Sequence, residues 1–152
     1  MEASQMVKGT LVIGVIGDDV HSIGINILER ALREAGFKVV SLGVLVFQEE
    51  FVNAAVETDA DAILVSSLNG HAPISCLGFR DKCIEAGLSD IILYLGGMLL
   101  MRDMNWEEIE KMFRDMGFDR VYTPSVMPSE VINDLEADIR GKRGVTSKSK
   151  AR

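Results

Sequence analysis

An aspartate two residues ahead of a histidine, Asp19 and His21, is where this chain could do metal chemistry. The carboxylate can hold one imidazole nitrogen and fix the tautomer, which leaves the other nitrogen free for a transition metal. Asp18 precedes the pair, Val20 and Ser22 flank the histidine, and Gly24 follows three residues after it. A residue without a side chain at that place lets something bulky approach the backbone. A lone histidine is more often solvated or satisfied in a core than a ligand, so the pattern gains weight only from its company. Two further short motifs supply it: Ser66-Ser67-Leu68, beginning 42 residues after Gly24, and Gly96-Gly97, beginning 28 after Leu68. Each alone reads as an ordinary strand end or turn.

These residues lie far apart in the chain, so a fold must bring them together. Five short, near-continuously apolar runs (10–17, 38–42, 62–66, 91–95 and 120–122) have the composition of parallel strands covered on both faces. Helical patterns lie between them. The first carries an apolar stripe of Ile23, Ile27, Leu28, Ala31, Leu32 and Ala35, and the second, 48–58, carries Phe51, Val52, Ala55 and Val56. A third is expected over 73–86, stopped by Gly87. The fourth has the signature of a capping box, Asn105 with Glu108, and ends at Gly117 after Ile109, Met112, Phe113 and Met116. The last starts near Pro128 and presents Ile132, Leu135 and Ile139. Strict βα alternation predicts an α/β fold: a Rossmann-like, flavodoxin-type doubly wound sheet of five parallel strands in the order 2-1-3-4-5. Ligands of such sheets bind at the carboxyl ends of the strands near the switch point, where the ends of strands 1, 3 and 4 share one edge. That edge would gather Asp19, His21, Ser66, Leu68, Gly96 and Gly97.

Composition narrows the function classes. With 152 residues, 47% hydrophobic, the chain can bury a full core, and we expect one domain over 10–140 after an extension over 1–9. A net charge of -7 argues against nucleic acid as the partner. No apolar run approaches the roughly 20 residues of a membrane span, and the first residues lack the layout of a signal peptide. Cys76 and Cys83 fall two turns apart on one expected helix, too far for a disulfide, and read as reduced thiols in the cytoplasm. The stretch 141–152 holds five Lys or Arg and no acid, and reads as a disordered, solvated tail. Phosphoryl-receiver domains share this fold and also place paired acids after strand 1. They need an aspartate after strand 3 and a lysine after strand 5, where this chain has Ser66-Ser67 and Tyr122-Thr123-Pro124. No G-x-G-x-x-G fingerprint, Ser-His-Asp set or zinc pattern is present.

With its three motifs together, the chain resembles the cobalamin-binding family that takes its cofactor base-off with histidine on cobalt, and within it the small subunits of glutamate mutase. Val15-Ile16-Gly17, Ala35-Gly36-Phe37, Gly43-Val44-Leu45, Val65-Ser66-Ser67-Leu68 and Met116-Gly117-Phe118-Asp119-Arg120-Val121-Tyr122 extend the likeness over about 10–140. The resemblance implies adenosylcobalamin as cofactor. It puts His21 on the cobalt, and Asp19 hydrogen-bonded to its other nitrogen. The displaced dimethylbenzimidazole would enter a slot lined by Ser66 and Leu68, with Gly96 and Gly97 leaving room for the nucleotide tail and Met98, Leu99 and Leu100 walling it. Asp18, Val20, Ser22, Gly24 and Ser67 complete the expected contacts. His71 could touch the corrin or simply be a solvated loop residue.

The resemblance further implies an isomerase, the rearrangement of L-glutamate to 3-methylaspartate, and a large barrel-type glutamate-binding partner subunit in a heterotetramer, since one small domain has no second cavity for a substrate. Pro73 and the methionine-rich stretch 98–104 depart from the family pattern near the partner-facing edge. A corrinoid carrier for methyl transfer and a cobalamin sensor are the rival readings. Carriers have a helical domain before the motif, and nine residues are expected before the first strand here.

Overall fold

The computed structural model describes residues 7–17, 23–67, 72–97, 99 and 103–151, with backbone alone at 23 and 143–151. In chain order its elements are β1 (Thr10–Val15), α1 (Ile23–Glu34), β2 (Lys38–Ser41), α2 (Gln48–Thr58), β3 (Ala62–Ser67), α3 (Ala72–Ser75), α4 (Phe79–Glu85), β4 (Ile92–Gly97), α5 (Trp106–Asp115), β5 (Arg120–Val121) and α6 (Pro128–Ala151). The sheet is parallel throughout, in the order β2-β1-β3-β4-β5, as the alternation of apolar runs and helices requires.

Side chains alternate along each strand and so divide the core into two layers. On one face Leu11, Ile13, Leu64 and Tyr94 meet Leu32 of α1 and Leu135 and Ile139 of α6. On the other Val12, Ile63, Val65 and Leu93 meet Phe51 of α2, Phe79 of α4 and Phe113 of α5. The α5 cap forms as its sequence predicts. Asn105 Oδ1 accepts from the Glu108 N–H at 2.9 Å, and Glu108 Oε1 accepts from the Asn105 N–H at 3.0 Å.

Four expectations need revision. The helix expected over 73–86 is two pieces, because Gly78 (φ 77°) takes the left-handed conformation and turns the chain between α3 and α4. Cys76 therefore lies in the turn and only Cys83 on α4; both are buried free thiols, and burial pushes Cys76 up to about 12. Val56 and Ile27, expected on buried stripes, are exposed at 49% and 59%. The basic stretch from 141, expected as a disordered tail, continues α6 as helix to Ala151. Among the described residues no helix is long and apolar enough to cross a membrane.

Candidate functional site

A hollow of about 300 Å3 opens on the α1–α6 face, above the carboxyl ends of β3 and β4. Its floor follows from strand parity and register. Leu64, Ser66, Tyr94 and Gly96 share this face, and Ser66 stands directly opposite Gly96 in the parallel pairing. At that rung one neighbour is small and the other has no side chain, so the sheet surface dips. Gly24, Ile27 and Leu28 of α1 make one wall; Tyr122, Thr123 and Val131 make the other. Ile27 is exposed because it faces this open hollow. The lining is mainly apolar, and the Ser66 hydroxyl sits in its floor at 8% exposure. A flat aromatic group with a hydrogen-bonding edge matches such a lining.

Gly96 and Gly97 differ in role, although both touch the hollow. A Cβ on Gly96 would stand 3.7 Å from the Tyr122 Cβ, an ordinary contact that fills the slot and strains nothing. Gly97 has φ 104°, and a Cβ there would come within 2.3 Å of the Ser67 carbonyl oxygen. Its glycine is demanded by the backbone of β3, a close approach no side chain allows.

Of the other expected site residues, Ser67 and Leu99 do not line the slot. Ser67 points to the opposite face, 1% exposed, and its hydroxyl has no hydrogen-bond partner among the described residues. Leu99 is fully buried in the opposite layer with Phe113 and Leu95. Asp18, Asp19, Val20, His21, Ser22, Leu68, His71, Met98 and Leu100 lie outside the described residues. The elements flanking the first of these segments both reach the site. Ile16, at the end of β1, donates its N–H to the Ser66 carbonyl at 2.9 Å, and the first turn of α1 contributes Gly24 to the slot wall.

Behind the slot lies a polar network that sequence reading missed. The Tyr94 hydroxyl donates to Asp138 Oδ2 at 2.5 Å, and the Tyr122 hydroxyl to Asp134 Oδ2 at 2.7 Å. Arg120 grips Asp138 with two bonds of 2.8 and 3.0 Å and lies 3.6 Å from Asp134. Burial, followed by the hydrogen bond to its acid, pushes each tyrosine far above its ordinary range. The Arg120 bonds hold Asp138 below the usual carboxylate range. The available signal was two acids one helical turn apart on α6, facing a tyrosine within β4 and another just after β5.

A wider cleft of about 750 Å3 lies at the other edge, by the starts of β4 and β5. Its arginines are already engaged: Arg80 donates to the Gly117 and Ile91 carbonyls and to Asp119, and Arg114 to the Asp119 carbonyl. We place the functional site at the smaller hollow, where the apolar lining and the open register rung coincide.

The family model "B12 binding domain" matches residues 9–115. The glutamate mutase sigma subunit of Carboxydothermus hydrogenoformans is 57% identical over 134 residues, covering 88% of this chain and 98% of that one. The sigma subunit of Escherichia coli O157:H7 is 47% identical over 143 residues, covering 94% and 96%. Among solved structures, the methanol:cobalamin methyltransferase complex MtaBC from Methanosarcina barkeri superposes with TM-score 0.71 at 26% identity, covering 90% of this chain and 48% of that chain.

Proposed function

We propose that this chain, which belongs to the B12 binding domain family and within it to the glutamate mutase sigma subunits, holds adenosylcobalamin base-off, with the nucleotide tail in the slot between α1 and α6. The observation that carries the reading is the Ser66–Gly96 rung, where an apolar slot opens at the switch-point edge of a parallel sheet. The Ser66 hydroxyl meets the polar edge of the base, Ile27, Leu28 and Val131 pack on its faces, and Gly96 leaves it room. His21 would hold the cobalt, and Asp19 would orient its ring through the second nitrogen. Leu68 would line the slot beside Ser66, and Met98 and Leu100 would wall it, while Leu99 is buried in the opposite layer. Bound there, adenosylcobalamin would supply the radical chemistry of a carbon-skeleton rearrangement.

A domain with one slot on its edge leaves the reacting side of the cofactor to a partner. That partner is the large barrel-type subunit of an L-glutamate to 3-methylaspartate mutase, assembled with this chain as a heterotetramer. It contributes the amino-acid site and excludes water.

The test is an absorption titration of the purified chain with adenosylcobalamin. Saturation with a base-off, imidazole-ligated spectrum that is lost in His21→Ala supports the reading; a base-on spectrum at saturation overturns it. Turnover of L-glutamate with the large subunit added, against methyl transfer from a methyl donor, separates the mutase from a methyl carrier.

A further inference from the structure

We infer that Asp134 and Asp138 of α6 are positioning residues for the nucleotide tail, acting through Tyr94, Tyr122 and Arg120 to hold the rear wall of the slot in place. The inference rests on the tail-binding reading above and adds residues that touch neither the slot nor any cofactor atom.

Three observations carry it. First, the wall is held from behind by directional bonds. The Tyr94 and Tyr122 rings line the slot and pack edge to face, with centroids 5.5 Å apart and planes at 69°. Each hydroxyl is anchored on α6, Tyr94 to Asp138 and Tyr122 to Asp134. Second, α6 needs such anchors. Its apolar contacts, Val131, Leu135 and Ile139, keep it on the sheet, but apolar burial is non-directional and resists rotation or sliding weakly. Val131 also lines the slot, so a small rotation of α6 changes the slot's width. Third, two acids at i and i+4 repel one another on an isolated helix. The arrangement makes sense only with Arg120 between them, bonded twice to Asp138 and 3.6 Å from Asp134. Two acids, two tyrosines and one arginine thus form a closed clamp between β4, β5 and α6.

The role separates from general stability because cobinamide, a corrinoid without the nucleotide tail, does not use the slot. The full chain and two variants, Asp138→Ala and the double variant Tyr94→Phe/Tyr122→Phe, are titrated with cobalamin and with cobinamide, and their melting is followed without ligand. The double variant keeps both rings and removes only the hydroxyls, so it decides the matter if Asp138→Ala fails to fold. Expected is a loss of about tenfold or more in cobalamin affinity for Asp138→Ala and about threefold to tenfold for the double variant, with cobinamide affinity kept within about twofold. The bound cobalamin spectrum should also move partway to base-on. Asp138→Asn, which keeps an acceptor for the Tyr94 hydroxyl, should recover part of the loss. Equal weakening of both corrinoids, or no weakening of either, overturns the inference and leaves the clamp as a stability element. If the unaltered chain binds cobalamin no better than cobinamide, the tail-binding reading fails first, and this inference with it.

Discussion

On the α2–α4–α5 side of the sheet the space between elements is filled with rings, whereas on the α1–α6 side about 300 Å3 stands open above the ends of β3 and β4. The filled side links Phe51, Phe79, Phe118 and Phe113 in a chain of ring contacts 5.6, 6.1 and 6.3 Å apart. Both layers are apolar and both helix sets are amphipathic, so hydrophobicity does not distinguish them. Side-chain volume at a few positions does. A sealed void of this size would cost about 7 kcal/mol at roughly 24 cal/mol per Å3, comparable to the whole stability of a domain. The hollow is tolerated because it is open to solvent rather than sealed. One layer stabilises the fold, and on the proposed reading the other takes the nucleotide tail.

That contrast breaks most readily at the closed layer. Phe113→Ala should lower unfolding free energy by about 3–5 kcal/mol, read by urea denaturation, with little change in the cobalamin to cobinamide affinity ratio of the protein that remains folded. If instead the ratio collapsed while stability held, the two layers would have the opposite roles. The next contrast sets two adjacent glycines against each other. Gly97→Ala forces a Cβ onto the Ser67 carbonyl at a positive φ and should cost about 2 kcal/mol or more. Gly96→Leu should stay within about 1 kcal/mol of the parent in stability yet lose cobalamin binding by about a hundredfold, because the side chain occupies the slot floor. Equal stability losses at both glycines would mean that Gly96, too, is there for the backbone.

How much of this was legible in the sequence depended on the range over which each signal acts. Strand order followed from local periodicity and the chirality of βα crossovers, and the Asn105–Glu108 cap from a four-residue pattern. Ser66, Gly24 and Gly96 were legible as small residues near strand ends, and the structure brings them to one slot. Gly97 was read as making room for a ligand; it borders the hollow, and its missing side chain also makes room for a neighbouring carbonyl, which only three-dimensional proximity reveals. Leu99 was read as a slot wall because it follows Gly97 closely, but the chain leaves β4 so as to send it into the opposite layer. Ile27 fitted its helical stripe, and its exposure comes from the open hollow it borders. The clamp was beyond local reading: Tyr94 and Asp138 lie 44 positions apart, and a strand tyrosine looks like core until its hydroxyl partner is known.

A smaller effect sharpens the comparison from the open side. Ile27→Ala removes a side chain that is 59% exposed, so stability should change by less than about 0.5 kcal/mol. The same truncation strips one wall of the slot, and cobalamin affinity should fall about threefold to tenfold with cobinamide unaffected. A matched truncation on the closed layer, Ile109→Ala, removes a fully buried side chain and should cost about 2–5 kcal/mol of stability. Similar stability costs at the two positions would erase the distinction between the layers.

The smallest effect is also the most local. The chain has 2 tyrosines, and both belong to the clamp, so phenolate absorbance near 295 nm reports on nothing else in the way of tyrosine. Burial and the neighbouring carboxylates favour the neutral phenols and raise both above their ordinary value. A raised acid contributes stability that is fully present below its unfolded value, near pH 10, and is lost as pH rises toward the folded value. Asp138 has the opposite sign. Held low by Arg120, it contributes stability above its unfolded value near pH 3.9, which is lost as pH falls through the folded one. The clamp should therefore be intact across the range between, and in the folded protein no phenolate should appear as pH passes through 10. Both tyrosines should instead ionise together, at the pH where circular dichroism shows alkaline unfolding. A phenolate step near pH 10 with the helices still folded would show at least one hydroxyl free of its acid, and a slot wall with no anchor behind it.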